Sequence, residues 1–399
     1  MRRVLIAVIL SVAAAAPAAA QPAPWQPERI TAGWVFTPGI SFGGMWDSNP
    51  AVRNSVNEIT SELVGLVNPR GEIDFNGRRA KFSAGYSGSL QTYRELDALN
   101  RYDQRGRVLA RYQMTPRLEF SARQQLTITP STEALELGGV PFTRVGSQML
   151  DTRGGFTFRL TPRTRVSADY NFQWVNFDRS AAAVPDFSSL RGGHSHSPMA
   201  ELRYEVSRRL DVGAVWSYRH TALDGSERIF DSQDARGTVS YAVGPGTTIR
   251  GSAGVAHVRI DRTGRTENGP SYGASISQQA APVIFDVSYD RSFLPSFGFG
   301  GMSATESFPT GVRVPLGRGR MFAASGFTWR RTEPTLPTEE FALSLNSYWW
   351  NSSFSFQVAR WLRTEAFFAL TQQTSNAQGN VERSRIGIQF VTSKPMRIQ

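Results

Sequence analysis

The chain has 399 residues, of which 40% are hydrophobic and 11% aromatic, with no cysteine and a formal net charge of +11. Without cysteine it can form neither a disulfide framework nor a lipid-modified N-terminal cysteine. Beyond its first residues it contains no run of about 18 or more apolar residues, so the sequence predicts no membrane-spanning helix.

The N-terminus has the features of an export signal. Arg2 and Arg3 precede a short apolar run from Val4 to Val12, and small residues stand before Gln21. A positive start, a short apolar stretch and small residues at a cleavage site are typical of a secretory signal peptide. We therefore expect residues 1–20 to be a signal peptide and residues 21–33 a periplasmic N-terminal segment. An anchoring transmembrane helix is the alternative, and the apolar run is short for one.

The mature chain alternates between apolar and polar residues. In Arg163–Trp174 the even positions from Val166 to Trp174 are apolar, whereas the odd positions from Arg165 to Gln173 are polar or charged. The same period recurs in Lys81–Gln91, Arg117–Ile128 and Asp211–Arg219. Side chains alternate sides along a strand, and strands of about 9–11 residues suit a tilted membrane crossing. The pattern predicts an all-β, transmembrane, antiparallel up-and-down β-barrel over residues 34–392, with residues 393–399 as a C-terminal extension.

Short turn signals recur along the chain and predict the number of strands. They stand at residues 76–77, 115–117, 161–163, 207–209, 244–246, 280–282, 316–318 and 359–361. Gly, Pro and Asn favour tight turns. Longer polar connections, such as residues 130–146, 178–193 and 291–305, lie between them. Short periplasmic turns that alternate with longer extracellular loops predict about 18 strands, with about 16 as the alternative.

The predicted inner face is rich in arginine. A barrel of this size encloses an aqueous space, and rings of arginine in a pore favour anions. The residues expected to line the substrate path are Arg105, Arg107, Arg111, Arg123, Arg153, Arg159, Arg165, Arg203, Arg219, Arg236, Arg250, Arg383 and Arg385. Arg117 and Arg363 share the inward phase. In the alternative interpretation each arginine pairs with a neighbouring acid and braces the wall. Nucleic-acid binding is not expected, since no motif or basic helix for it is present.

The sequence offers no catalytic or metal site. Residues Gly39–Gly43 match the pattern G-x-S-x-G, but a nucleophile elbow needs a helix after the serine and this segment reads as a strand. His194 and His196 share one face, with no third metal ligand placed beside them. We therefore predict no enzyme activity, no catalytic residues, no metal and no cofactor.

Motifs near the mature N-terminus resemble a known family. Trp46-Asp47-Ser48-Asn49 is followed by Arg53, then by a strand around Pro69, a turn at Asn76-Gly77 and an alternating strand. This arrangement resembles the β-barrel porins that are encoded with exopolysaccharide-biosynthesis operons. The resemblance implies passage of a polysaccharide, often acidic, through the outer membrane, with periplasmic polysaccharide-export components as partners.

Three functions remain open from the sequence. The leading expectation is an outer-membrane pore that exports an anionic exopolysaccharide through an arginine-rich lumen. The alternatives are a general or anion-selective diffusion porin for small solutes, and a structural or adhesive surface barrel. Each places the chain in the bacterial outer membrane, in contact with outer-membrane lipid. The last strand, with Ile386, Ile388 and Phe390 facing outward, also predicts recognition by the outer-membrane assembly machinery.

Overall fold

A computed structural model describes most of the chain. The described residues are 33–54, 59–178, 190–224, 229–260, 264–279, 283–298, 301–316, 320–335, 344–376 and 379–398. The predicted signal peptide and most of the predicted N-terminal segment lie outside these residues, as do the predicted turn at 280–282 and most of that at 316–318.

The described chain is almost entirely extended, because strands of alternating polarity pair with their neighbours in sequence. Two short 3₁₀ helices, Asp97–Leu99 and Thr132–Leu135, interrupt the strands. The strands are β1 Gly33–Asp47, β2 Glu62–Asn76, β3 Ala80–Tyr93, β4 Arg101–Gln113, β5 Leu118–Thr129, β6 Ser147–Arg159, β7 Thr164–Phe177, β8 Gly193–Ser207, β9 Leu210–Leu223, β10 Ile229–Gly244, β11 Thr247–Ile260, β12 Arg265–Gln278, β13 Ile284–Pro295, β14 Met302–Leu316, β15 Met321–Pro334, β16 Leu345–Ala359, β17 Leu362–Ser375, β18 Gly379–Ser393 and β19 Met396–Ile398.

The sheet closes on itself as an antiparallel barrel. Strand β1 pairs with β2 on one side and with β18 on the other, which removes the sheet edges at the closure. Strand β19 continues β18 along β1, with Phe36 opposite Met396, after a break at Pro395. Proline has no N–H to donate to the ladder. The wall is therefore an 18-stranded barrel, as the turn signals predicted.

The two faces of the wall differ in polarity. Leu202, Trp216, Val255 and Ile386 point outward, and each residue is 47% or more exposed. Large apolar side chains exposed in a continuous band face lipid rather than water. In a closed barrel every backbone group can be paired within the wall, so the structure is suited to cross a bilayer.

No helix among the described residues is both long and apolar enough to cross a membrane.

The two ends of the barrel also differ. At the turn end, short connections such as Gly77–Arg79 and Arg208–Arg209 join the strands, where the sequence predicted them. At the loop end the connections are longer. The buried apolar core lies there, inside the barrel, and includes Val175, Phe177 and Phe230 from the inner face of the wall.

Candidate functional site in the lumen

One wall of the lumen carries most of the predicted arginine path. The inner faces of β4 to β8 present Arg105, Arg107, Arg111, Arg123, Arg153, Arg159, Arg165 and Arg203. The strand register brings several of them side by side, with Arg123 directly opposite Arg153. Neighbouring strands lie about 4.8 Å apart, so these guanidinium groups form a continuous basic surface on this side of the barrel.

Four arginines stand in one row near the turn end. Arg159 is opposite Arg165, which is opposite Arg203, and the N–H of Arg159 donates to the carbonyl of Arg117 at 2.8 Å. With about 4.8 Å between strands, the row is about 14 Å wide. Like charges directly opposite one another destabilise a sheet, so the row is an electrostatic cost to the fold.

Some arginines of this basic wall have acidic ion-pair partners and others have none among the described residues. Arg107 pairs with Glu72 at 2.5 Å, Arg203 with Glu201 at 2.5 Å and Arg153 with Asp169 at 3.1 Å. The side chains of Arg159 and Arg165, in contrast, form no ion pair or hydrogen bond with any residue that the structure describes, and both are exposed to the lumen. The turn end therefore carries positive charge with no ion-pair partner among the described residues.

The loop end of the lumen is occupied by the connection between β5 and β6, residues 130–146, which we call the plug loop. Its ends are tied together by Thr132, whose hydroxyl donates to the carbonyl of Pro141 at 2.6 Å and accepts from the N–H of Thr143 at 2.9 Å. Leu135, Val140 and Phe142 are at most 4% exposed. The plug loop is thus packed inside the barrel, where its apolar side chains are removed from water.

A buried ion cluster fixes the plug loop to the wall. Arg383 of β18 donates from Nε and Nη2 to both carboxylate oxygens of Asp47, at 3.0 and 2.5 Å, and from Nη1 to the carboxylate of Glu133 in the plug loop. Arg383 and Asp47 are 0% exposed. Burial alone would raise the pKa of Glu133, but the charges of Arg383, Arg385 and Arg101 outweigh it and lower that pKa below its ordinary value.

Neutral hydrogen bonds complete the anchoring of the plug loop. The side chain of Gln373 accepts from the N–H of Phe142 at 2.7 Å and donates to the carbonyl of Val140 at 3.1 Å. The indole of Trp349 donates to the carbonyl of Glu133 at 3.3 Å. Because these backbone groups are buried, each needs such a partner. Side chains of the wall therefore supply hydrogen-bond partners for buried backbone groups of the plug loop.

A second insertion comes from the wall itself. The pairing of β12 with β13 stops at Tyr272 and Arg291, although β12 runs on to Arg265 and β13 to Pro295. Beyond that point β13 lies on the inner side of β12, with the Phe293 ring against Gly269. We call Arg291–Pro295 together with Met302–Glu306 of β14 the hairpin tip. The sequence predicted a polar loop at residues 291–305, whereas β13 extends to Pro295 and β14 begins at Met302.

The β13 part of the hairpin tip forms a layer between the wall and the plug loop, whereas its β14 part stays paired with β15. Phe293 and Met302 share one buried core with Val258 and Ile260 of β11. On the opposite side, the hydroxyl of Ser296 donates to the carbonyl of Gly139 in the plug loop at 3.0 Å. The loop half of the lumen is consequently filled by packed layers, whereas the turn half is lined by exposed arginines.

Four of the predicted path arginines bind the plug loop or the β13 strand that enters the lumen. Arg383 and Arg385 lie beside Glu133, Arg219 donates to the carbonyl of Phe293 at 3.1 Å, and Arg236 pairs with Asp290 at 2.7 Å. Arg383 is fully buried and lies on no solvent-lined path in this structure. Arg250, on the inner face of β11, is exposed. A role in an anion path thus stays a prediction for the arginines of the turn half.

The serine and histidine motifs that the sequence offered lie within strands of the wall. Gly39–Gly43 lies within β1, which continues as a strand to Asp47. His194 and His196 point outward, where Tyr170 contacts the His196 ring at 2.5 Å, and no group of three or more acidic, histidine or cysteine side chains in the described part of the chain is placed to hold a metal ion.

Sequence reasoning missed the plug loop as part of the site. The signal was present, since a solvated loop rarely contains as many apolar residues as Leu135, Leu137, Val140 and Phe142. The pairing of Glu133 with Arg383 could not be read from the sequence, because the two residues are separated by 250 positions.

Comparisons with known proteins were made at three levels. No protein-family model and no curated protein matches the chain. Solved structures of similar architecture include OpdO from Pseudomonas aeruginosa, at 10% identity over 91% of this chain and 98% of that one, with a TM-score of 0.44. OccAB4 from Acinetobacter baumannii has 8% identity over 93% and 100%, with a TM-score of 0.44. OccK5 (OpdH) from Pseudomonas aeruginosa has 9% identity over 91% and 98%, with a TM-score of 0.45. At these values the likeness is one of barrel architecture.

The chain's own architecture decides its location. It is an even-stranded, closed, antiparallel barrel with an apolar outer band, short turns at one end and longer loops at the other, which is the organisation of bacterial outer-membrane barrels. The protein is an outer-membrane β-barrel.

Proposed function

We propose that the protein is an outer-membrane diffusion pore that prefers small anionic solutes. One observation carries the proposal: at the turn end of the lumen, Arg117, Arg159, Arg165 and Arg203 stand abreast, and only Arg203 has a carboxylate partner among the described residues. Arginine stays charged at any physiological pH and binds carboxylates and phosphates with a planar fork of donors.

The distribution of paired and unpaired arginines supports a direction for the path. From the row at the turn end, the basic wall continues through Arg153 and Arg123 towards Arg107. Arg107 and Arg153 on this wall are each paired with an acid, Glu72 and Asp169. An anion that enters the lumen would meet its strongest attraction at the turn end, where fixed positive charge raises the local concentration of anions.

Export of an exopolysaccharide, the leading expectation from the sequence, has no observation in its favour. The family resemblance on which it rested is not matched by any family model. The plug loop and hairpin tip fill the loop half of the lumen, which is the space that a polymer would need. The diffusion pore, which was the alternative, is the function that this geometry supports better.

Reversal potentials in planar bilayers test the proposal. The refolded full-length protein in a salt gradient should show an anion-selective potential, because the unpaired charge at the turn end is positive. The variant Arg159→Gln/Arg165→Gln should lose most of that selectivity. A matched control, Arg208→Gln/Arg209→Gln, removes the same charge from the adjacent turn and should change it much less. Cation selectivity of the unmodified protein, or equal changes in both variants, would refute the proposal.

We also propose, on the sequence pattern alone, that residues 1–20 are removed on export and that outer-membrane assembly machinery recognises the C-terminal strand. Strand β18 supports the second point, since Ile386, Ile388 and Phe390 all lie on its exposed outer face. Mass spectrometry of the mature N-terminus tests the first point. Insertion of the variant Phe390→Ala in cells tests the second, which would fail if that variant assembled normally.

A further inference from the structure

The turn end of the barrel carries an arginine at a repeated position. In four successive hairpins, from β2–β3 to β8–β9, the residue directly before the returning strand is an arginine. The carbonyl of each one accepts a hydrogen bond at 2.7 or 2.8 Å from an N–H group of the neighbouring hairpin, so its backbone is fixed to the wall. We call these residues the arginine arc: Arg79, Arg117, Arg163 and Arg209.

The strand register places the arginine arc on the lumen side of the rim. One step from each arc residue towards the loop end, the returning strand pairs with an aromatic residue, and these are Tyr112, Phe158, Tyr204 and Tyr241. The three tyrosines are 43% or more exposed on the outer face, where aromatic rings mark the membrane interface. Side chains alternate sides along a strand, so the arc positions have the inward phase. The wall therefore separates the arginine arc from the lipid.

The charge of the arginine arc is not neutralised within the described structure. All four side chains are exposed, and none forms an ion pair with a described residue. Arg78 and Arg208 stand beside the arc, and the turns that carry it contain no acidic residue. Glu205 lies opposite both Arg163 and Asp211, but neither acid forms an ion pair with a described residue. The arginines outnumber these two acids, so this side of the rim is positively charged.

The arginine arc runs across the direction of the pore rather than along it. Successive arc residues are two strands apart, which is about 10 Å, and the whole arc is about 29 Å long. A small anion that crosses the rim contacts one or two of these arginines. A ligand must be as broad as the rim to contact all four, and about 29 Å is close to the width of one side of a standard protein interface.

We propose that the arginine arc is a docking site for an acidic, extended polypeptide segment of a periplasmic protein. The turn end faces the periplasm, and guanidinium groups bind carboxylates with a planar fork of donors. In a polyproline II segment every third residue returns to the same face after about 9.3 Å, which matches the spacing of the arc. The inference goes beyond anion preference, because it assigns a macromolecular partner to the periplasmic mouth.

A synthetic peptide tests the proposal. The probe is a fluorescent Glu-Pro-Pro repeat of about 21 residues, which places a carboxylate every third residue in a polyproline II chain. Its binding to the refolded full-length protein in detergent is measured by fluorescence anisotropy at low salt. Arg79→Gln/Arg163→Gln/Arg209→Gln removes three arc charges and keeps the backbone carbonyls. The control Arg320→Gln/Arg360→Gln/Arg397→Gln removes three exposed arginines of the same rim outside the arc.

The unmodified protein should bind the Glu-Pro-Pro peptide and not a Gln-Pro-Pro peptide of the same length. Each exposed charge contact changes an equilibrium by about two- to fivefold, so the arc variant should bind roughly 8- to 125-fold more weakly. The control variant should stay within about threefold of the unmodified protein. Folding of each variant is checked by its gel mobility before and after heating. If the triple variant did not fold, Arg208→Gln/Arg209→Gln would supply the same comparison at one turn.

Three results would overturn the inference. One is no binding of the Glu-Pro-Pro peptide to the unmodified protein. Another is an equal loss in the arc and control variants, which would show attraction to net charge alone. The third is tighter binding of an oligogalacturonate of equal charge, which would assign the arc to an anionic glycan. Peptide binding in detergent does not depend on ion conduction, so failure of this inference is distinguishable from failure of the proposed anion pore.

Discussion

Substitution of Glu133 by glutamine tests the anchoring of the plug loop. The change keeps the shape of the side chain and removes its charge. Glu133 is 3% exposed and accepts a hydrogen bond from the fully buried Arg383. A hydrogen bond to a charged group stabilises by about 1.5–3 kcal/mol, and glutamine also leaves Arg383 with one carboxylate, Asp47, instead of two.

The expected consequence is local opening of the plug loop rather than unfolding of the barrel. Because about 1.4 kcal/mol corresponds to a tenfold change in an equilibrium, the open population should rise by roughly 10- to 150-fold. Trypsin cleavage after Arg144 measures this population. While the loop is docked, the Arg144 guanidinium donates to the carbonyls of Pro50 and Leu99 and is not available to the protease. When opening and closing are fast, the cleavage rate follows the fraction of open molecules.

The matched control is Glu333→Gln, which removes the same charge from the exposed pair Arg331–Glu333. An exposed pair contributes about 0–1 kcal/mol, so cleavage after Arg144 should stay close to that of the unmodified protein. If Glu133→Gln and Glu333→Gln gave the same cleavage rate as the unmodified chain, the ion cluster would not be what holds the plug loop.

Three further predictions concern the same end of the lumen. The lowered pKa of Glu133 means that its contribution to loop docking is complete above the ordinary value of 4.5 and is lost as pH falls through the lower value of the folded protein. In a hydrogen-exchange experiment corrected for intrinsic exchange, the backbone amides of the plug loop should therefore keep their protection from pH 7 to about 4.5 and lose it below. Unchanged protection at much lower pH would contradict this. Gln373→Ala strands the buried N–H of Phe142 and should weaken loop docking by about 1–3 kcal/mol, seen as faster exchange of that amide but not of amides in β5. Gly269→Val places a Cβ within 2.4 Å of the Phe293 ring and should displace the hairpin tip, so chymotrypsin cleavage after Phe293 should accelerate; an unchanged rate would argue against the tucked packing.

The sequence was sufficient to predict the barrel because the information is local. Alternation of apolar and polar residues at period two, as from Arg165 to Trp174, sets which face meets lipid whatever the neighbouring strand is. Turn residues such as Asn76-Gly77 and Thr161-Pro162-Arg163 fix where each hairpin reverses. Up-and-down order then follows, because every strand pairs with the strands next to it in sequence apart from the closure of β1 on β18 and β19.

The inward phase of the arginines was local information too, but their roles were not. Arg159 and Arg383 have the same side chain and the same predicted face. The register leaves Arg159 exposed among other arginines, whereas Arg383 is enclosed by Asp47 and Glu133. Which arginine meets a carboxylate depends on residues up to 336 positions away, and no periodicity carries that information.

Sequence alone thus determined the strands, their faces and the basic character of the inner wall, since each depends on neighbours along the chain. Only the tertiary structure decided that residues 130–146 and the end of the β13–β14 hairpin fold into the barrel rather than extend into water. The physical reason is that their apolar side chains gain burial only where the curved wall supplies both a matching apolar inner surface and hydrogen-bond partners for the inserted backbone.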